Sequence, residues 1–365
     1  LGEAVKRSGI DPGLVEEVIM GHVLVNGEAP NIARLGALKA GLPMETPAYT
    51  LDRQCGSGLQ AIVNAYCLVK AGESEVVLAG GVESMSNCEF YVTGARWGIR
   101  LGTSQFYDRF QRTVDMVSCP DVFGPINGMI ETAENVAEKC NITRKAQDIY
   151  AVRSHEKACA AIREGRFKKE IVPVEVKGRK KTVLVDTDEH PRPEITLEAL
   201  SKLKPVQGKT VTAGNASGMN DGAAACLIMS EEKALKLGLE PMGYIKGFAA
   251  GAVHPAYMGL GPVPAVKKLL SRTGVNLGDL DLIELNEAFA SQALGVIREL
   301  GIKNTDNINV NGSGISLGHP LGATGARIMA TLLHEMERRN ARFGLETMCI
   351  GGGQGLAAIV ERRKP

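Results

Sequence analysis

Aromatic residues are scarce in this chain: Phe, Trp and Tyr make up 4% of its 365 residues, with a single tryptophan. Together with 43 glycines, that favours a tightly turned α/β protein over a sandwich of aromatic-rich strands. An excess of either charge is also missing. Forty-two Lys and Arg against 41 Asp and Glu leave a formal charge of +1, so no global field recruits nucleic acid or an anionic membrane. Cysteines are present but unpatterned. Cys55, Cys67, Cys88, Cys119, Cys140, Cys159, Cys226 and Cys349 include no C-x-x-C pair and no Cys/His cluster at zinc spacing, which points to a reducing, cytoplasmic setting without a metal centre. The longest uncharged stretch, 247–266, is interrupted by prolines, glycines and His254, and reads as loop rather than membrane span.

The chain repeats itself. Ala4-Val5-Lys6-Arg7-Ser8-Gly9-Ile10 through Met20 matches Leu269-Leu270-Ser271-Arg272-Thr273-Gly274-Val275 through Leu285 at a register of 265. The parallel continues from Cys55-Gly56-Ser57-Gly58, a helix, and 77–81 to Asn311-Gly312-Ser313-Gly314, a helix over 325–338, and 349–353. Each half closes on an apolar strand, 222–229 and 355–360. Duplication is the simplest account. The second half opens on a strand, 242–250, for which the first half has no counterpart; the repeat leads us to expect a strand upstream of Leu1, paired with 223–229.

Between the first half's last two strands lies an insertion, 85–220. It should hold a helix over 131–140, another starting at the N-cap Thr143 and running to Gly165, and a hairpin, 171–176 and 182–186, around Lys177-Gly178-Arg179-Lys180-Lys181. The basic tip reads as a solvated turn. The chain thus divides into a first half (1–84 and 221–240), the insertion (85–220) and a second half (241–365).

Cys55 marks the corner between an extended segment, 47–52, and a helix running from Leu59 to Gly72. A helix amino terminus favours thiolate over thiol, so Cys55 is a candidate nucleophile, although a single cysteine is more often a small buried hydrophobe. Gly56-x-Gly58-x-x-Ala61 followed by Glu83 also fits a dinucleotide fingerprint. Three further stretches put reactive groups at strand ends among small residues: Asn286-Glu287-Ala288-Phe289, Gly318-His319-Pro320 and Cys349-Ile350-Gly351-Gly352-Gly353. Singly, Asn286 could cap a helix, His319 be a loop histidine and Cys349 be core. In a parallel sheet such ends gather on one edge, where ligands bind.

These motifs, with Gly81-Val82-Glu83-Ser84-Met85-Ser86 and the small polar run from Thr212 to Asp221, resemble those of the thiolases. The resemblance spans all 365 residues and is strongest to acetyl-CoA C-acetyltransferases and short-chain 3-ketoacyl-CoA thiolases. It implies a five-layer αβαβα thiolase fold, and a reversible Claisen condensation of two acetyl-CoA to acetoacetyl-CoA and CoA. Cys55 would carry the acyl group, His319 accept the Cys55 proton, and Cys349 shuttle the proton of the acetyl α-carbon. His319 and a water held by Asn286 would stabilise the thioester oxygen of the incoming substrate; the N–H groups of Cys55 and Gly351 would hold the acyl-enzyme oxygen. By the same resemblance Ser217 meets the pantetheine amide and Arg192 lies near the adenine. Ala213 and Gly214 flank the pantetheine arm, Met129 and Phe289 shape the acyl pocket, and Ala288 is a further residue of the substrate and CoA site. It further implies coenzyme A thioesters as substrates, no resident cofactor, and a homodimer or homotetramer.

The chain departs from the family where acetoacetyl-forming members carry His-Met-Gly. Here the run is Gly128-Met129-Ile130, and Gln207 stands where an aromatic often lies near the adenine. Four other readings compete with this one. A degradative 3-ketoacyl-CoA thiolase of broader chain length would use the same residues. A decarboxylating ketoacyl synthase would want a second histidine at Asn286; a dinucleotide-binding protein would leave Cys55, His319 and Cys349 idle; and a non-catalytic acyl-CoA-binding scaffold would not need every catalytic side chain.

Overall fold

In a computed structural model that describes residues 1–178 and 181–363, the two halves form two four-stranded sheets. The first holds β1 (Glu17–Gly21), β2 (Ala48–Leu51), β3 (Val76–Ser84) and β4 (Asp221–Met229) in the order β2-β1-β3-β4. The second holds β5 (Tyr244–Ala252), β6 (Leu282–Leu285), β7 (Phe343–Ile350) and β8 (Gln354–Glu361) in the order β6-β7-β8-β5. In each, a parallel pair (β1/β3, β6/β7) is followed by an antiparallel strand (β4, β8). β5 pairs with β8 in the second sheet, whereas the outer edge of β4 carries no strand among the described residues. The second half's counterpart of β2 has shrunk to a bridge between Ile283 and Ile308.

Period-two alternation along buried strands sorts side chains into separate layers. Along β3, Val77 and Ala79 face a central core while Val76 and Leu78 face an outer one; along β8, Leu356, Ala358 and Val360 are central and Ala357 and Ile359 outer. The helices Ser57–Ala71 and Thr324–Arg339 fill the central layer through Leu59, Ile62, Ala326, Ile328 and Leu332. Outside the first sheet lie Gly2–Ser8 and Ile32–Lys39, and outside the second Pro262–Thr273 and Ala290–Glu299. Helix, sheet, helix, sheet, helix: the five expected layers are present.

The central helices meet at glycines. A Cβ on Gly58 would sit 2.8 Å from Ala326 N and 2.9 Å from Gly322 O, so the glycine spacing that suggested a dinucleotide turn serves helix–helix approach instead. The uncharged stretch 247–266, read as loop, is mostly ordered structure: the end of β5, a 3-10 segment Pro255–Leu260, and the start of the helix Pro262–Thr273. Its prolines fall in the first helical turn, where no amide hydrogen is needed. No helix among the described residues is long and apolar enough to cross a membrane.

The insertion leaves the first sheet at Ser84 and returns at Asp221, which pair directly. Its helices run over Gly128–Lys139 and Arg144–Arg163, the latter capped by Thr143, whose side chain accepts the Ala146 N–H. The hairpin pairs Val174–Lys177 with Thr182–Val185; Arg179 and Lys180 of its basic tip lie outside the described residues. Segments without a clear periodic signal also fold: the short ladder Phe90–Tyr91 with Tyr107–Asp108, and a helix Arg109–Met116 capped by the Asp108 carboxylate.

Candidate active site

The first half supplies one thiol, on a turn stretched between β2 and the central helix. Gln54 adopts φ 47°, a left-handed conformation that costs a side-chain-bearing residue energy and therefore needs support. Asp52 Oδ1 accepts the Gln54 N–H at 2.5 Å, and the Gln54 amide Nε2 donates to Asp52 Oδ2 at 3.1 Å. On the far side Ser57 Oγ accepts the Arg53 N–H at 2.8 Å and donates to the Gln54 carbonyl at 2.7 Å. Cys55 sits between these clamps, one residue before the N-cap Gly56.

The helix terminus does not make Cys55 a resting thiolate, contrary to the reading from sequence. Burial pushes its thiol up to about 11, and the negative charges of Asp52 and Glu83 push the same way. Hydrogen bonds from the N–H groups of Gly351 and of Cys55 itself pull it down but do not win. A neutral thiol needs a base.

The second half brings the other groups. Asn286 follows β6 and is fully buried, its N–H donating to the Thr347 carbonyl at 3.0 Å. It does not cap the next helix, whose N-cap is Phe289. Asn286 Nδ2 lies 3.4 Å from His319 Nε2, and its Oδ1 is buried without a partner. His319 is itself buried; desolvation, with Arg327 adding to it, pulls its pKa down to about 3, so the ring is neutral. Cys349 lies near the end of β7, buried, its thiol pushed up by desolvation and then by Cys55 nearby. The structure thus brings Cys55 from the first half to Gly351 and Cys349 of the second, and sets Asn286 beside His319, with the Asn286 loop joined to the Cys349 strand through Thr347 and through Ala288 packed against Cys349.

Strand pairing corrects one detail of the repeat. Met20 pairs with Gly80 and Leu285 with Thr347, so at a register of 265 the residue equivalent to Cys349 is Val82, and the segment matching 349–353 begins at residue 82 rather than 77.

Two buried carboxylates hold the loops in place, a role the sequence motifs did not reveal. Glu83 accepts the N–H groups of Val23 (3.0 Å), Leu24 (3.2 Å) and Gly322 (2.9 Å) and lies 3.2 Å from His22 Nε2, tying the His319 loop to the first half. Buried and fully engaged, it has no oxygen to offer a ribose, which removes the dinucleotide reading. Glu287 accepts from Tyr150 (3.1 Å), Ser154 (2.6 Å), Asn309 (2.9 Å) and the Ile315 N–H (3.3 Å), anchoring the Asn286 loop to the insertion helix.

Around Cys349 an apolar wall is built from Ala133, Val211, Met258, Ala288 and Phe289, with Met129, Ile130 and Ala216 packed against it. Met258, from the 3-10 segment after β5, was not anticipated; the interrupted uncharged stretch gave no hint that it folds back onto the site. The Ser217 N–H donates to the Ala288 carbonyl at 3.0 Å, and Ala216 bridges Phe289, so the small polar run lies alongside the Asn286 loop. Ala213 is exposed. Gly214 is buried and faces Leu200 and Leu203, so its small size serves packing within the insertion. Arg192 is exposed, its N–H donating to His155 Nδ1 at 3.1 Å.

Comparison with known proteins places this arrangement. Residues 1–232 match the family described as thiolase, N-terminal domain, and residues 239–362 match thiolase, C-terminal domain. An acetyl-CoA acetyltransferase of Syntrophomonas wolfei is 48% identical over 364 residues, covering 99% of this chain and 91% of the relative. One of Pseudomonas aeruginosa is 50% identical over 370 residues, covering 99% and 93%. The crystal structure of the Bacillus anthracis acetyl-CoA acetyltransferase superposes with a TM-score of 0.94 at 46% identity, covering 98% of this chain and 90% of that one. With both halves matched, and the two thiols, the histidine and the asparagine gathered between them, this chain belongs to the thiolase family.

Proposed function

We propose that the protein is an acetyl-CoA C-acetyltransferase, condensing two acetyl-CoA to acetoacetyl-CoA and CoA and running the thiolysis in reverse. The observation that carries this reading is the meeting of two thiols from opposite halves, half-buried Cys55 with the Gly351 N–H on its sulfur and buried Cys349 beside it. Only carbon–carbon bond formation from a thioester needs both an acyl carrier and a second base at the α-carbon.

Both thiols and the imidazole rest neutral, and a cycle from that state closes its protons. His319 Nε2 takes the Cys55 proton as Sγ attacks the acetyl-CoA carbonyl; the C–S bond to CoA breaks, and the leaving thiolate takes the Cys349 proton. Cys349 thiolate then removes an α-proton from the second acetyl-CoA. Protonated His319, with a water held by Asn286, stabilises the enolate oxygen. The enolate carbon attacks acetyl-Cys55, whose carbonyl oxygen is held by the N–H groups of Cys55 and Gly351. Cys55 leaves as thiolate and recovers its proton from His319. Every group returns to its starting form.

Met129, Ile130, Met258, Ala288 and Phe289 form the acyl pocket in this reading, Ser217 and the exposed Ala213 line the pantetheine arm, and Arg192 meets the adenine. No resident cofactor is required. The assembly in this reading is a homodimer or homotetramer in the cytoplasm, and the exposed Phe90, Trp97, Ile99, Leu101 and Phe106 of the insertion fit a surface covered in such an assembly. The deciding experiment is incubation with acetyl-CoA followed by peptide mass spectrometry, alongside a thiolysis assay with acetoacetyl-CoA and CoA. One acetyl group on Cys55 and turnover are expected. Acetylation of Cys349 instead, or no turnover, would overturn the reading.

A further inference from the structure

We propose that Asp52 is the positioning residue for the nucleophile: its carboxylate locks Gln54 in the left-handed conformation that aims the Cys55 sulfur and N–H at the Gly351 turn. The inference rests on Cys55 being the acyl carrier.

Gln54 is the only non-glycine residue with positive φ in the segment joining β2 to the central helix. It is neither Asn nor Asp, the residue types that tolerate this conformation through their short polar side chains, so something outside it must hold it. The backbone does part of this work, since the Gly56 N–H bonds the Arg53 carbonyl at 3.0 Å and the Ser57 N–H the Gln54 carbonyl at 2.9 Å. Those bonds fix the residues after the bend. Before it, the Gln54 N–H has Asp52 Oδ1 as its acceptor at 2.5 Å, and Nε2 lies 3.3 Å and 3.1 Å from Oδ1 and Oδ2. One carboxylate therefore holds both the main chain and the side chain of the strained residue.

The consequence reaches the chemistry through Gly351. A Cβ placed there would lie 3.8 Å from Gln54 Oε1, and the Gly351 N–H is one of the two that bond the Cys55 sulfur. If Gln54 relaxes to negative φ, the following peptide plane rotates, and Cys55 loses its alignment with Gly351 from the other half. Near-attack geometry is sensitive to such shifts, with about 100-fold in rate at stake for a displacement of about 1 Å. Asp52 also acts by charge: it and Glu83 face the Cys55 sulfur from the first half, Cys349 from the second, and the Asp52 carboxylate opposes ionisation of the thiol.

The test compares Asp52→Ala and Asp52→Asn in the full protein, reading the rate of Cys55 acetylation by acetyl-CoA and the pH profile of Cys55 alkylation by iodoacetamide. Asp52→Ala removes the acceptor and should slow acetylation by about 10- to 100-fold. Asp52→Asn keeps an oxygen for the Gln54 N–H and should restore most of that rate. Its alkylation midpoint should still fall, by about half a pH unit, because the negative charge is gone. Wild-type acetylation rates in Asp52→Ala would overturn the proposal, as would Asp52→Asn being as slow as Asp52→Ala. Should Asp52→Ala fail to fold, the Asp52→Asn rate and midpoint decide alone, and an Asn variant that is slow or unshifted overturns it. Wild-type protein that acquires no acetyl group on Cys55 would refute the acyl-carrier reading itself, a result separable from any behaviour of the variants.

Discussion

Thr324 Oγ1 lies 2.7 Å from His319 Nδ1 and 2.8 Å from the Pro320 carbonyl, which can only accept. A hydroxyl has one hydrogen. With that hydrogen on Pro320, Thr324 must accept from His319, so the imidazole proton sits on Nδ1 and the lone pair on Nε2, the nitrogen 3.4 Å from Asn286. Thr324 therefore selects the basic tautomer. Thr324→Val, which keeps the shape and loses the acceptor, should slow acylation of Cys55 by about 10- to 100-fold, the equivalent of about 1–3 kcal/mol for a buried donor left unpaired. Thr324→Ser should stay near wild type. Stopped-flow measurement of CoA release distinguishes them, and equal rates in wild type and Thr324→Val would remove Thr324 from the mechanism.

The same neutral ring sets an acid limit. Desolvation holds the His319 pKa down at about 3, so between pH 5 and 8 the base stays unprotonated. The single-turnover acylation rate should then show no inflection near 6.5, the ordinary histidine value, in contrast to a solvent-exposed imidazole. An ionisation near pH 6.5 that disappears in His319→Ala would contradict the buried geometry.

Stability should decline on the alkaline side for a different reason. Glu284 and Glu346 are directly paired across β6 and β7, both buried, with Glu284 Oε2 and both oxygens of Glu346 unpartnered. Burial raises Glu284 to about 8 and Glu346 well above its ordinary value, while Arg327 partly offsets the effect. An unfolded carboxyl ionises near 4.5, whereas the folded Glu284 keeps its proton to about 8. The folded state therefore binds more protons across that window, and stability falls as pH rises through it. Glu346→Gln should flatten the decline of Tm between pH 5 and 9. An unchanged slope would mean that the pair is not the cause.

How far the sequence carried depends on the kind of residue. Period-two apolar runs and Gly/small residues at strand ends exposed both sheets and the Cys55, Asn286, His319 and Cys349 stretches, because those signals are local. The sequence misled at Cys55, whose position near a helix start suggested a thiolate; the burial and the Asp52 and Glu83 charges that keep it a thiol depend on three-dimensional surroundings. It was silent on Glu287, whose donors Tyr150, Ser154, Asn309 and Ile315 come from distant segments. Met258 was hidden likewise: only folding brings the segment after β5 against Cys349 and Phe289.

Cys349 offers a test that separates the two half-reactions. Because Cys349 is assigned to the α-carbon and Cys55 to the acyl group, Cys349→Ala should still form acetyl-Cys55 but should lose exchange of the acetyl methyl protons of acetyl-CoA with deuterated solvent. Acetylation in that variant should be slower than wild type, since the leaving CoA thiolate loses its proton donor, yet remain detectable by mass. Methyl exchange at the wild-type rate would reassign the base.

Ile130 bears on the length of the acyl chain. It packs against the wall that contains Cys349, Phe289 and Met258, beside Met129, at the position where the pattern that the sequence resembles has glycine. A β-branched side chain has few rotamers with which to move aside, so the pocket beyond a short acyl group should be closed rather than merely narrowed by a flexible residue. Each extra methylene that fails to find space forfeits about 1–3 kcal/mol of discrimination, which makes the preference graded across a substrate series. Thiolysis of four-carbon 3-ketoacyl-CoA should therefore exceed that of ten-carbon substrate in kcat/KM, and Ile130→Ala should narrow the gap by raising the longer substrate's value while leaving the shorter one close to wild type. Only a gain confined to long chains identifies Ile130 as the gate: a parallel loss on both substrates would indicate a damaged site, and equal thiolysis of both lengths by the wild-type protein would place the limit elsewhere along the wall.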